Sequence, residues 1–92
     1  MLAEKTFADK VFFYNSGNEA NEAAIKLARK YYFDQGKPEK HEIIAFTNAF
    51  HGRSMLNITA GDSKFQKTGF GPLLQGFRRA KFNDLRSVKK AI

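Results

Sequence analysis

Apolar residues along the chain form two short runs separated by a long segment with helical periodicity. The runs KVFFY, residues 10–14, and EIIAF, residues 42–46, are bounded by turn-forming residues, which is typical of buried strands. Between them, over residues 17–34, small and apolar residues recur on one helical face and charged residues on the other. We therefore expect a strand, a helix and a second strand joined as a parallel βαβ unit.

The second half of the chain has a less regular pattern. Residues 47–76 form a long segment punctuated by glycine, and loops of that length inside a compact domain are usually functional or lie at an interface. A third strand is expected over residues 78–82, followed by a helix over residues 84–91 with Asn83 as its N-cap. The predicted fold class is α/β, a βαβ unit with mostly parallel strands and a long functional loop.

Composition narrows the class of protein. The 92 residues are 42% hydrophobic and 27% charged, without repeats or low-complexity tracts, which indicates one small globular unit or a piece of a larger domain. The absence of cysteine excludes disulfides and thiolate metal sites, and two histidines are too few for a zinc site. Neither a membrane-spanning run nor a signal peptide is visible, so a cytoplasmic location without membrane contact is expected.

The net charge of +7 raises the question of a nucleic-acid partner. Lysine and arginine gain affinity for nucleic acid by releasing phosphate counterions, which requires that they cluster. Here they are spread over the predicted helix, the turn after it and the last quarter of the chain, and no recognised nucleic-acid-binding motif accompanies them. We therefore assign the charge to solvated surface, or to a face covered by further protein, and do not expect nucleic acid as a partner.

The start of the predicted helix is the first candidate site. Ser16 and Glu19 match a capping box, in which the Ser16 hydroxyl accepts from the Glu19 amide and the Glu19 carboxylate reaches back to the Ser16 amide. Capping does not explain Gly17, because glycine weakens a helix unless another group must approach the backbone closely. Free amides at a helix start attract phosphate, so residues 16–18 are a candidate anion site, with plain capping as the alternative.

The second candidate site is the segment AFHGRS, residues 49–54, which follows the second predicted strand. Its aromatic ring, imidazole and guanidinium are suited to stacking on a flat ligand and clamping a carboxylate. Taken singly, Phe50 suits a core position, His51 a hydrogen-bonded loop and Arg53 a surface charge. The functional interpretation becomes the stronger one because the segment is expected on the same edge of the sheet as the Ser16 turn.

The two segments together carry a family resemblance. FFYNSGNEANEAAIKLARKYY followed by AFTNAFHGRS, GFGPLLQGF and FNDL resembles the class III pyridoxal-phosphate aminotransferases of fold type I over about residues 7–92. The resemblance implies that residues 1–92 are part of a large domain that binds pyridoxal 5'-phosphate. Within the family it favours transfer of the amino group of N2-acetyl-L-ornithine to 2-oxoglutarate in arginine biosynthesis, with ornithine, succinylornithine and 4-aminobutyrate as alternative donors.

The phosphate-binding turn of this family matches Ser16, Gly17 and Asn18. The resemblance implies that backbone amides of this turn hold the cofactor phosphate, and a helix dipole suits that role. Asn18 stands where the family usually has a small residue. Little consequence is expected from this difference if only the backbone amide makes the contact.

The second segment matches the family's contacts to the cofactor ring and to the substrate. The resemblance implies that Phe50 stacks on the pyridine ring, with His51 beside it in the cofactor pocket, and that Arg53 binds a carboxylate of the amino-acid substrate. A π face suits a ring, and a bidentate guanidinium suits a carboxylate. No residue is expected to bind a metal.

The resemblance also implies what the chain lacks. The family's Schiff-base lysine and the acidic partner of the cofactor ring nitrogen match no residue up to Ile92, so no catalytic residue is expected here. The 92 residues alone are expected to be inactive, whereas the family's intact enzymes are homodimers. Two other interpretations stay open: a small basic module that binds phosphorylated ligands or nucleic acid without catalysis, and a decayed gene product without function.

Overall fold

Two parallel strands form the centre of the fold. In a computed structural model that describes residues 2–92, β1 (Ile43–Phe46) pairs with β2 (Phe77–Ala80), with Ile43 opposite Phe77. The ladder continues at both ends, because the Ile43 amide donates to the Gly76 carbonyl at 2.8 Å and the Thr47 amide to the Ala80 carbonyl at 2.9 Å. Since the strands are parallel, both carboxyl ends lie at the same edge of the sheet.

The helices differ greatly in length. The longest, α2 (Gly17–Asp34), contacts α3 (Met55–Ala60), and the last helix packs on β2. None of the helices between residues 2 and 92 combines the length and apolar character that a membrane span requires. In the described part of the chain the helices are α1 (Leu2–Lys5), α2 (Gly17–Asp34), α3 (Met55–Ala60), α4 (Lys64–Lys67) and α5 (Leu85–Ala91).

Helix α2 begins and ends where the sequence predicts, because local interactions define both ends. The Ser16 hydroxyl accepts from the Glu19 amide at 3.2 Å. At the other end Gly36 takes a φ of 76°, and the Lys37 amide donates to the Tyr32 carbonyl at 2.8 Å in a Schellman-type ending. Only half of the expected capping box forms, since the Glu19 carboxylate accepts from the Ser16 hydroxyl at 3.4 Å and not from the Ser16 amide.

The expected first strand, residues 10–14, is not observed. These residues have no regular secondary structure, and Phe12 and Phe13 are 79% and 76% exposed. An apolar run becomes a strand only when a neighbouring strand supplies hydrogen bonds and a packed face, and here β1 and β2 pair only with each other. The βαβ unit predicted around α2 is therefore absent from residues 2–92, whereas an α/β fold with parallel strands is confirmed.

The long predicted loop, residues 47–76, contains two helices. Each begins at a serine cap: the Ser54 hydroxyl accepts from the Asn57 amide at 3.3 Å, and the Ser63 hydroxyl from the Gln66 amide at 3.4 Å. Helices of one or two turns show little periodicity, and the asparagine, isoleucine and threonine of α3 are modest helix formers. Packing, and not propensity, therefore accounts for α3, in which four of six residues are buried, whereas α4 has no buried residue and begins at the Ser63 cap.

The remaining strands and helix lie within two residues of their expected bounds, but the cap of α5 is not the expected one. The Asp84 carboxylate accepts from the amides of Arg86 and Ser87 at 3.0 and 3.2 Å. Asn83, the predicted cap, occupies the preceding turn with a φ of 61°. Asparagine tolerates this left-handed conformation better than most residues, and aspartate is an equally good cap.

The core of the chain is small. Helix α2 has no buried residue, and its predicted apolar face is open, with Leu27 70% exposed. The radius of gyration, 14.8 Å, exceeds the value of about 12 Å expected for a compact domain of this length. The chain thus exposes more apolar surface than a self-contained domain. The buried apolar side chains are Ala45, Ile58, Ala60, Ala80 and Ala91.

Arg79 joins the sheet to the end of α3. From β2, its guanidinium donates to the carbonyl oxygens of Thr59 at 2.5 Å and Gly61 at 2.7 Å, and also to that of Ala60. The last carbonyls of a helix have no intrahelical donor, and a positive charge is favourable there. Arg79, which was predicted only as a strand residue, therefore caps the carboxyl end of α3.

Replacing Arg79 with alanine should lower the free energy of unfolding by on the order of 2 kcal/mol, because a charged donor is removed from several carbonyl oxygens. Arg78→Ala is the matched control on the same strand, since the Arg78 guanidinium is half exposed and pairs with Glu42 at 2.8 Å. A much smaller loss is expected for the control. Urea unfolding of both variants measures the difference, and equal losses would contradict the anchoring role of Arg79.

Candidate functional site

One cavity joins the two candidate segments. It has a volume of about 650 Å³ and lies between the start of α2 and the loop of residues 47–54, which connects β1 to α3. The whole of α2 and β1 separates these segments in the chain. All six predicted site residues nevertheless line this cavity, namely Ser16, Gly17, Asn18, Phe50, His51 and Arg53, together with Asn21, Gly52 and Ser54.

The cavity lies beside the carboxyl edge of the sheet. The loop leaves β1 at that edge, and a second cavity of about 710 Å³ near the ends of both strands shares His51 with the first. Ligands of open α/β sheets bind outside the carboxyl ends of the strands. The architecture alone therefore makes this region a candidate ligand site.

The first amides of α2 are open to an anion. The Glu19 amide donates a hydrogen bond to the Ser16 hydroxyl. The amides of Gly17 and Asn18, in contrast, donate to no acceptor among residues 2–92. A Cβ at Gly17 would have no atom within 4 Å. The packing of the chain thus does not require glycine here, and the space leaves the amides accessible to a group of phosphate size.

Phe50 and Arg53 have no partner for their functional groups in the described part of the chain. The Phe50 side chain is 69% exposed, and no acidic group of residues 2–92 forms an ion pair with the exposed Arg53. His51 is half-buried, and its carbonyl accepts from Nδ2 of Asn21 at 2.7 Å. An exposed ring and an unpaired guanidinium beside one cavity suit a planar ligand and a carboxylate.

The Asn18 side chain contributes a contact that was not expected. Its Oδ1 accepts from the amides of Arg53 at 2.9 Å and Ser54 at 3.2 Å, and from Nδ2 of Asn57 at 2.9 Å. The difference from the small residue usual in the family therefore has a structural consequence, whichever group of Asn18 contacts the cofactor. The sequence signal was the polar residue itself, in a place where the resembling family usually has a small one.

Gly52 is the position in this loop where glycine is required. Its φ is 135°, and a Cβ there would lie 2.1 Å from Oδ1 of Asn18 and 2.8 Å from Nδ2 of Asn57. Both the backbone conformation and the space exclude an ordinary side chain. The close approach of the loop to α2 therefore depends on this glycine.

Asp62 holds the beginning of the loop from the other side. Its Oδ2 accepts from the amide of Asn48 at 2.8 Å, and its own amide donates to the Ala49 carbonyl at 2.8 Å. The hydrogen bond from Asn48 is the largest cause of a lowered pKa of the Asp62 carboxyl. Asp62 therefore stabilises the fold above the ordinary pKa of an aspartate, and this contribution is lost as the pH falls through the lowered folded-state pKa.

Alanine at Gly52 should destabilise the chain, whereas alanine at Gly17 should not. Gly52→Ala should lower the free energy of unfolding by at least about 2 kcal/mol, because the backbone is strained and the new Cβ overlaps Asn18. Gly17→Ala is the matched control in open space, and it should leave stability unchanged or raise it by up to about 1 kcal/mol through helix propensity. Urea unfolding of both variants tests this contrast; a tolerated Gly52→Ala would show that the loop can move away from α2.

The parallel layer and the cavity at its carboxyl edge define an α/β protein with a site suited to an anionic, planar ligand. The aminotransferase class III family model matches residues 1–91. The chain belongs to the class III aminotransferases, which depend on pyridoxal phosphate. The resemblance noted from the sequence is thereby confirmed.

Relatives in this family share about half of their residues with the chain. It is 52% identical to the acetylornithine aminotransferase of Rhodobacter capsulatus, over 100% of this chain and 23% of that protein. It is 53% identical to the acetylornithine aminotransferase of Agrobacterium fabrum, over 99% of this chain and 23% of that protein. The chain thus spans less than a quarter of the length of these curated relatives.

Solved structures agree in fold. The ornithine aminotransferase from Toxoplasma gondii superposes with a TM-score of 0.90 at 28% identity, covering 98% of this chain and 22% of that one. An (S)-enantioselective omega-transaminase from Thermomicrobium roseum superposes with a TM-score of 0.68 at 38% identity, covering 72% of this chain and 15% of that one. The backbone arrangement described above is therefore shared with aminotransferases.

Proposed function

We propose that this chain is part of the cofactor-binding large domain of an enzyme that transfers the amino group of N2-acetyl-L-ornithine to 2-oxoglutarate in arginine biosynthesis. The observation that carries the proposal is the meeting of the six predicted residues around one cavity at the carboxyl edge of the sheet. The 52% and 53% identity to acetylornithine aminotransferases supports this choice of donor.

Pyridoxal 5'-phosphate fits the residues of the cavity. The open amides of Gly17 and Asn18, with the Ser16 hydroxyl beside them, suit its phosphate at the positive end of the α2 dipole. The exposed face of Phe50 suits its ring, with His51 adjacent. The cofactor, when bound, supplies an electron sink for the amino-acid substrate.

Arg53 is the proposed contact for the substrate carboxylate. Its guanidinium is exposed and lies at the same cavity as the phosphate-binding turn. A planar guanidinium binds a carboxylate with two parallel hydrogen bonds, which fixes the orientation as well as the position of the substrate. The chain would thus hold the phosphate, the ring and the carboxylate at three separate points.

The lysine that moves protons in such a reaction is proposed to come from outside these residues. Within residues 2–92 no lysine lines the cavity, so the 92 residues alone are proposed to be inactive. The exposed Phe12, Phe13 and Leu27 support burial of this segment against further protein. The intact enzyme is proposed to be a cytoplasmic homodimer. Ornithine is the second candidate donor, because the Toxoplasma gondii ornithine aminotransferase superposes with a TM-score of 0.90.

A chimera tests whether the chain can bind the cofactor and the substrate within an intact enzyme. The matching segment of the Rhodobacter capsulatus acetylornithine aminotransferase is replaced by these 92 residues, with the unmodified enzyme as control. The chimera should retain pyridoxal 5'-phosphate through gel filtration and keep kcat/KM for N2-acetylornithine within about tenfold of the control. A folded chimera without cofactor would contradict the proposal. Cofactor retention that falls steeply with salt and is shared by other phosphates would favour a simple phosphate-binding module.

Substitutions of Arg53 and Phe50 in the chimera should affect different steps. Arg53→Ala should raise KM for the amino donor about 30-fold, equivalent to ~2 kcal/mol, with cofactor affinity unchanged. Phe50→Ala should weaken cofactor affinity about threefold to tenfold through lost stacking. Steady-state kinetics and cofactor titration separate the two, with Arg53→Lys and Phe50→Tyr as conservative controls. The reverse pattern would exchange the roles assigned to the two residues.

A further inference from the structure

The start of α2 holds the neighbouring loop through its side chains. Oδ1 of Asn18 accepts from the amides of Arg53 and Ser54, so a single oxygen fixes two consecutive peptide groups. One turn later on α2, Nδ2 of Asn21 donates to the His51 carbonyl at 2.7 Å. Positions three apart on a helix share a face. Both asparagines therefore bond to backbone groups of the same short loop, Asn18 to two amides and Asn21 to one carbonyl.

Asn57 of α3 also bonds to Asn18. The hydrogen bonds of Asn18 and Asn21 to residues 51–54, together with that of Asn57 to Asn18, form one connection between α2, the loop and α3. Two backbone amides donate to one terminal atom of the Asn18 side chain, so this atom must be the amide oxygen, Oδ1. The Asn57 atom that faces this oxygen must then be a donor, which is Nδ2. Nδ2 of Asn57 donates to Oδ1 of Asn18 at 2.9 Å and to the Asn18 carbonyl at 2.8 Å. The Asn57 side chain is fully buried, and its own oxygen has no hydrogen-bond partner among residues 2–92. Asn57 therefore serves as a donor to Asn18.

These hydrogen bonds join the proposed phosphate-binding turn to the loop that is proposed to contact the cofactor ring and the substrate. The backbone of Asn18 belongs to the turn that would hold the phosphate, and the loop that its side chain holds carries Phe50 and Arg53. Residues 49–54 have no helix or strand of their own. Their position relative to α2 is consequently set by side-chain hydrogen bonds and by the close approach at Gly52.

We propose that the Asn18 side chain is a positioning residue that sets the distance between the phosphate-binding turn and the substrate-binding Arg53. The identity of the two ligand groups rests on the proposed function, whereas the connection itself rests only on the hydrogen bonds of the chain. Oδ1 of Asn18 is the acceptor of the connection, and Nδ2 of Asn57 is a donor. The same change, asparagine to aspartate, should therefore preserve the connection at position 18 and break it at position 57.

Amide hydrogen exchange of the chimera, without cofactor, tests the connection. Asn18→Ala should accelerate exchange at the Arg53 and Ser54 amides by about tenfold, because both lose their acceptor, while the β1 amides stay protected. Asn18→Asp keeps an acceptor oxygen and should preserve protection. Asn57→Asp places a second acceptor against Asn18 and should accelerate exchange as Asn18→Ala does.

The chimera tests the consequence for the ligands. Asn18→Ala keeps the backbone amide, so competition by inorganic phosphate against the cofactor should be unchanged, while KM for N2-acetylornithine should rise on the order of fivefold. Asn18→Asp keeps the loop in place but adds a negative charge beside the phosphate, so it should weaken cofactor affinity and leave KM close to that of the unchanged chimera. A merely structural role would move both quantities together.

The outcomes that overturn the inference are distinct from those that overturn the proposed function. Unchanged exchange at Arg53 and Ser54 in Asn18→Ala would show that the side chain does not hold the loop. Equally fast exchange in Asn18→Asp and Asn18→Ala would show the same. Accelerated exchange with an unchanged KM would remove the positioning role. A chimera that binds no cofactor contradicts the proposed function, whatever the exchange rates.

Discussion

The hydrogen bonds accepted by Oδ1 of Asn18 are the constraint on which the site depends. They bring the loop after β1 so close to the start of α2 that Gly52 has no room for a side chain. Without this approach the open amides of the helix and the free groups of Phe50 and Arg53 would not face one cavity. The arrangement shows how a short polar side chain can take the place of packing where a chain has little core.

The loop is held from several sides. Asp62 bonds to the Asn48 amide near β1, α3 contributes Asn57, and Arg79 caps the far end of α3 from the neighbouring strand. The contacts of Asp62 and Arg79 use backbone groups that the local structure leaves without a partner, whereas Asn57 donates to the side-chain oxygen of Asn18. The site geometry is therefore carried mainly by polar contacts, because the buried apolar side chains of residues 2–92 are almost all alanine.

The parts of the fold that local chemistry determines could be predicted from the sequence. Helix α2 was predicted at its observed bounds because Ser16 and Gly36 act within a few residues of its ends. The run at residues 10–14 was misjudged, since an apolar segment becomes a strand only with a partner that residues 2–92 do not supply. Helices α3 and α4 were missed because helices of one or two turns show little periodicity, and because the stability of α3 comes from burial of residues 57–60.

In the site, too, the positions set by local motifs could be predicted and the contacts between distant residues could not. The exposed apolar face of α2 has a further consequence for stability. Motif positions placed Ser16 and Arg53 at one edge, but the role of the Asn18 side chain depends on residues more than thirty positions away. A helix with no buried residue gains little of its stability within this chain. The folding of α2 is therefore linked to the covering of that face, because any polypeptide that packs only on the folded helix shifts its folding equilibrium.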